Sequence, residues 1–204
     1  MRIDRYKPPK SSFLSVEKDL SIITGNMEKC SRLKRLLCNT QENQNPLNQP
    51  TPEISVSDMI EKGIVKIIPK LTIDKTLLNY LIIQFDNFMP NATNPEYRNN
   101  ILEFDVVCHF NQWNIGDFQL RPYKIAAELD SMFNGKYLTG IGTLQFLGAR
   151  KAVLSDEYGA VVLLYSVIHG EEDTNAYTPI ESDQNHFKDI LDAIDKENRE
   201  NEES

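Results

Sequence analysis

The chain has 204 residues, 40% of them hydrophobic and 25% charged, with a formal net charge of −8. That length predicts one domain with extensions or at most two small ones, and no run reaches the roughly 18 apolar residues that a bilayer-spanning helix needs, which excludes an integral helical membrane protein. Residues 1–39 hold nine basic and four acidic side chains, residues 40–170 ten and fourteen, and residues 171–204 three and twelve; a net-acidic body argues against a dedicated nucleic-acid reader, which presents a basic face.

The opening MRIDRYKPPKSS reads as a basic arm without the apolar core of a secretory leader. From Phe13 the residues Val16, Leu20, Ile23, Met27, Cys30, Leu33 and Leu37 recur at three- and four-residue spacing, a helical stripe. Gly25-Asn26 predicts a break into two helices, with Asn26 capping the second. Arg32, Lys34 and Arg35 suit the negative end of that second helix. Residues 39–52, rich in Asn, Gln and Pro, read as a linker or extended loop.

The body starts near Ile54. Ser57–Lys62 predicts a helical turn ended by Gly63, and Ile64–Ile68 and Tyr80–Phe85 predict strands. Leu102, Phe104, Val106, Cys108 and Phe110 alternate with Glu103, Asp105, Val107 and His109, the period of a half-buried antiparallel strand. Pro122 opens a helix whose buried stripe is Ile125, Leu129, Met132 and Phe133, and Asn134-Gly135 supplies a left-handed stop. Strands Gly142–Leu147 and Tyr158–Ile168 follow, joined through a turn reading SDEYG. The last strand is apolar on both faces and belongs in the middle of a sheet. Phe187, Ile190, Leu191 and Ile194 predict a short amphipathic helix before a solvated acidic end. The expected fold is α+β: a mainly antiparallel sheet of about five strands flanked by helices, with a helical N-terminal extension and an acidic C-terminal tail. The expected organisation is 1–52 (arm, helices, linker), 53–172 (α+β domain) and 173–204 (tail).

No phosphate-binding loop, serine elbow or zinc-protease pattern is present. Three cysteines (Cys30, Cys38, Cys108) are an odd count that fits reduced thiols rather than a disulfide frame. Cys108 and His109 are adjacent on a strand, so they face opposite sides and cannot form a thiolate–imidazole pair. The best enzymatic candidate is the polar face carrying Glu103, Asp105 and His109, joined by Asp86, as in metal-dependent nucleases. Successive same-face residues lie nearly 7 Å apart (two steps of about 3.3 Å), so one strand cannot close a metal site. A polar sheet face is the stronger reading, and no catalytic residue, metal or cofactor is expected. Trp113, Arg121 and Tyr123, aromatics around an arginine in a non-repeating loop, are candidates for a protein–protein contact. Arg150, beside Lys151 in a solvated pair, and Phe187 and Ile190 on the last helix complete the interface candidates.

The stretch from about Glu103 to Gly170 has a further pattern. A strand FDVVCHFNQW precedes the helix RPYKIAAELDSMFNG; KYLTGIG, the strand TLQFLGARKAVL and the strand AVVLLYSVIHG follow. Arg121, Tyr123, Ile125, Ala126 and Leu129 stand where an R-x-Y-x-I-A-x-x-I/L helix is found in tail terminator and neck (head-to-tail joining) proteins of tailed bacteriophages, which this third of the chain resembles. The long N-terminal extension and acidic tail depart from a minimal terminator. The resemblance implies a structural virion protein in the neck or tail, assembled in the host cytoplasm. It would be a ring subunit, commonly six-fold, that contacts tail tube and head connector and lets DNA pass without binding it specifically. A head-completion or connector ring protein is the alternative within the same class, and a metal-dependent nuclease the alternative outside it.

Overall fold

The computed structural model describes residues 16–41, 44–90, 98–138 and 141–169. The chain divides into two compact units, Met1–Glu171 and Glu172–Ser204, and every described residue lies in the first. The basic arm through Ser15 and the predicted helix carrying Phe187 and Ile190 lie outside the described residues.

Helix α1 spans Val16–Glu28 and α2 spans Ser31–Cys38. The predicted break at Gly25-Asn26 is not there. Helix α1 runs through it, with Ile23 and Met27 buried in the core on either side and the Thr24 hydroxyl and the Asn26 amide donating back to the carbonyls of Leu20 and Ile22, each 2.8 Å away. Asn26 therefore does not cap α2, and the chain turns at Lys29-Cys30 instead. The predicted stripe does bury Ile23, Met27, Leu33 and Leu37. These four join the main core of this same unit.

The Asn/Gln/Pro segment is likewise drawn in. Pro46–Asn48 forms a 3-10 turn capped by the Asn45 side chain. It is fastened to α2 by Arg35 Nη1 donating to the Leu47 carbonyl at 2.6 Å. Helix α3, Val56–Glu61, starts with a reciprocal capping box between Ser55 and Asp58. Glu28 at the end of α1 accepts from the Val56 amide at 2.6 Å and pairs with Lys34. Those two partners, Lys34 first, hold the Glu28 carboxyl below its ordinary range.

The strands are β1 (Val65–Ile67), β2 (Asn79–Pro90), β3 (Arg98–His109), β4 (Tyr137–Leu138), β5 (Gly142–Thr143), β6 (Gln145–Val153) and β7 (Tyr158–His169). Five form one sheet in the order β1-β2-β3-β7-β6, antiparallel except for β1 with β2. The α+β expectation holds, and β7, apolar on both faces, is an interior strand. Strand β2 is longer than predicted, continuing past a bulge near Asn87, whose φ is 59°. The predicted strand from Gly142 is divided: β5 pairs with β4, Leu144 turns into the core, and β6 begins at Gln145.

One face of the sheet packs on the helices. Leu81, Ile83, Leu102, Phe104, Val106, Cys108, Val161, Leu163, Tyr165 and Val167 meet α4 (Arg121–Phe133) and the N-terminal helices there. Phe104 stacks on Phe133 with centroids 5.2 Å apart. Gly135, with φ 68°, ends α4 in the left-handed conformation the sequence implied. Part of the opposite face is covered by the loop from Ile68 to Leu77, which closes a second apolar cluster over Tyr80, Ile82, Val107, Tyr158 and Ala160. The loop is pinned by the Tyr80 hydroxyl, which donates to the Thr72 carbonyl at 2.6 Å, and by a Lys66–Asp74 ion pair. Among the described residues no helix is long and apolar enough to cross a membrane.

Candidate functional site

Beyond the Ile68–Leu77 loop the second face of the sheet becomes polar. Strand register places Gln84 opposite Glu103 and Ile82 opposite Asp105. The Gln84 side-chain amide donates to Glu103 Oε1 at 2.8 Å and to Asp105 Oδ2 at 3.0 Å. Arg150, on β6 across β7, lies 4.0 Å from Glu103 Oε1 with its side chain 67% exposed. Asp105 is fully buried, and its Oδ1 has no hydrogen-bond partner among the described residues. Burial, then the hydrogen bond and charge of Glu103, raise the Asp105 carboxyl to about 7, against a weaker opposing pull from Arg150. Burial beside Glu103 thus favours the protonated form of the Asp105 carboxyl.

The other two members of the predicted metal constellation do not converge on it. His109 sits at the far end of β3, with Nδ1 accepting from the Asn111 amide at 3.1 Å and its ring packed edge-on against Tyr158. Asp86 is exposed and accepts from the Asn87 amide at 2.7 Å. Among the described residues no three His, Cys, Asp or Glu side chains are placed to hold a metal ion. Cys108 is buried, which pushes its thiol up to about 12. Burial raises Cys30 and Cys38 as well, so the three thiols are held protonated.

The interface candidates separate in space. Arg121 is 1% exposed and faces inward, a correction to its place among surface contacts. Its Nε and Nη2 donate to the Gln112 carbonyl and side-chain oxygen, each at 3.0 Å. Its Nη1 donates to the carbonyls of Leu36 and Asn39 at 2.8 and 2.9 Å. The last carbonyls of a helix have no partner within it, so Arg121 closes the end of α2 while fixing the start of α4. Gln112 Nε2 extends the network to the Thr40 carbonyl at 3.2 Å. Beside it a cavity of about 370 Å³ is lined by amides, among them Gln41, Gln44, Asn45, Gln112 and Asn114.

Trp113 is half-buried against the core, and Tyr123 is 48% exposed on the first turn of α4. The indole needs a glycine below it: a Cβ on Gly159 would stand 2.7 Å from Trp113 and 2.8 Å from Phe110. Gly159→Ala is expected to destabilise the fold by about 1–3 kcal/mol through this overpacking, read as a lower urea midpoint; an unchanged midpoint would show that the two rings can yield.

Between Trp113 and Arg121 the chain forms a tight projecting loop, closed by a bridge from Asn114 to Leu120 and by the Ile115 amide donating to the Gln119 carbonyl at 3.0 Å. At its tip the Gln119 amide donates to the Gly116 carbonyl at 2.7 Å, and Asp117 and Phe118 both have positive φ, 46° and 58°. Such a turn favours Asn-Gly at its two central positions. Here a phenylalanine occupies the second, wholly exposed at 102%. Sequence reading missed Phe118; the signal was the QWNIGDFQLRPY segment itself, where Gly-Asp marks a turn and the next residue is a large apolar one. Phe118→Gly is expected to stabilise the isolated chain by about 0.5–1 kcal/mol, the relief of left-handed strain less the entropy of glycine, measured by thermal unfolding.

The sequence model of the YomW family matches residues 31–167. The chain belongs to the YomW family. The matched span runs from the start of α2 almost to the end of β7, so the five-stranded sheet but for the last two residues of β7, α4 and the Arg121 network lie within the YomW region and α1 lies outside it. No curated protein matches the chain. A solved structure described as "Virion of native gene transfer agent (GTA) particle" is similar over 56% of this chain and 84% of that chain, at 14% identity and a TM-score of 0.38.

Proposed function

We propose that this YomW-family chain is a structural subunit of a tailed-phage virion, forming a ring at the neck as a tail terminator that joins the tail to the head connector. In this reading the chain makes and breaks no bond, and its polar side chains serve assembly and stability. Membership of the phage-derived YomW family supports a virion role, and the resemblance of residues 103–170 to terminator and neck proteins supports the finer position.

The observation that carries the reading is where the polar and apolar side chains go. Arg121, buried Asp105 and His109 are each held by hydrogen bonds or packing inside the subunit. Large apolar side chains are left outside at several separate places, among them Phe118 on the 115–119 loop and Phe146 and Leu147 on β6. A ring needs heterologous contacts, in which one surface of each subunit meets a different surface of the next, and two unlike exposed patches meet that requirement. The acidic balance of residues 40–170 suits a conduit, because each added phosphate contact would strengthen a salt-dependent grip on passing DNA.

Electron microscopy of particles made without this chain tests the proposal. Full heads with separate or overlong tails are the expected result. Heads emptied of DNA would place it instead among head-completion proteins, and normal infectious particles would overturn the virion role.

A further inference from the structure

We infer that the subunits join through the 115–119 loop of one copy and the outer edge of β6 on the next, with Phe118 seated against Phe146 and Leu147; this rests on the ring reading above. Strand β6 is the edge of the five-stranded sheet, with Phe146 43% and Leu147 56% exposed where the bulge between Phe146 and Gly148 opens the strand. Phe118 is wholly exposed on a turn that strains it. An exposed aromatic in a costly backbone conformation is stabilised once a partner buries it.

Two arguments make the partner a second copy of this chain. The first is reach. The loop rises next to Gly159, which Trp113 touches, whereas Phe146 pairs with Tyr165. Six strand residues separate those anchor points, roughly 20 Å along the sheet, so the tip of one subunit cannot cover its own patch. The second is charge. Asp117 sits beside Phe118 on the tip, and exposed Lys151 lies on the same face of β6 as Phe146, four register positions (roughly 13 Å) along the strand. Lys151 makes no ion pair among the described residues, whereas Arg150 on the opposite face is turned toward Glu103. Tip and patch thus match in both apolar surface and sign, and an interface between two different surfaces propagates head to tail until it closes.

Sedimentation velocity on the full chain, alone and in mixtures, decides the matter. Phe118→Asp removes the tip and Leu147→Asp removes the patch; both positions are exposed, and circular dichroism confirms that the variants fold. The wild-type chain is expected to assemble and each variant to run at the 23.4 kDa subunit mass. An equal mixture of the two variants is expected to form a species of twice that mass. It keeps one intact contact, the Phe118 tip of the Leu147→Asp chain on the β6 patch of the Phe118→Asp chain, and cannot grow further. Variants that assemble like wild type, or a mixture that stays monomeric, would overturn this contact and leave the ring reading standing. A wild-type chain that stays monomeric at every concentration would overturn the ring reading itself.

Discussion

Arg121→Met is expected to cost about 4 kcal/mol of folding stability, a large share of the roughly 5–15 kcal/mol a domain possesses. Methionine fills similar space but donates no hydrogen bond. The substitution would leave four acceptors unserved, the buried Gln112 carbonyl and side-chain oxygen and Leu36 carbonyl and the partly buried Asn39 carbonyl. Two of them belong to the closing turn of α2, whose buried Leu33, Leu36 and Leu37 would lose their anchor to the sheet layer. Arg121→Lys keeps the charge but presents it at one point, not across a planar fork, and is expected to recover only part of the loss. Urea titration should show the midpoint falling with an unchanged slope. A loss below about 1 kcal/mol for Arg121→Met would mean that water replaces the guanidinium at these carbonyls.

The second large effect depends on pH. Asp105 has an ordinary value of 3.8 and is raised to about 7 in the fold. A carboxyl raised on folding lends stability in its protonated form, fully present below its unfolded value and lost as pH rises through its folded value. At about pH 8 the buried carboxylate therefore weighs against the folded state by up to about 4 kcal/mol relative to about pH 4. Asp105→Asn mimics the protonated form: its oxygen still accepts from Gln84 and its amide can donate toward Glu103. It should be close to neutral near pH 4 and increasingly stabilising as pH climbs to 8. Unfolding midpoints for both proteins across that range check this; a constant difference would show that Asp105 is charged in the fold throughout.

Much of the sheet was legible because its signal is local. The two-residue alternation from Leu102 to His109 and the doubly apolar run from Tyr158 place β3 and β7 without reference to the rest of the chain. The end of α4 was legible for the same reason, since Gly135 performs its task within one turn. What could not be read depended on partners far away in sequence. Arg121 stands in a recognisable pattern beside aromatic residues, and an arginine there reads as exposed until the Leu36 and Asn39 carbonyls, more than 80 positions upstream, are brought to it. Glu103 and Asp105 were rightly placed on one face, yet the Gln84 amide that bridges them comes from the neighbouring strand. The Gly25-Asn26 break failed because Ile23 and Met27, on either side of it, are both buried in the core, tertiary packing that overrides local propensity. The cover over the second face escaped notice because Ile68, Leu71, Ile73 and Leu77 lie in a proline-bounded loop without regular spacing.

The neck assignment and the contact inferred from Phe118 share one premise, that this chain is built into the particle. Labelling purified virions with an antibody raised against it, and viewing them by electron microscopy, tests that premise most directly. Label confined to the junction between head and tail is the expected result. Particles that carry no label, while the chain remains in the lysate as a free protein, would contradict it.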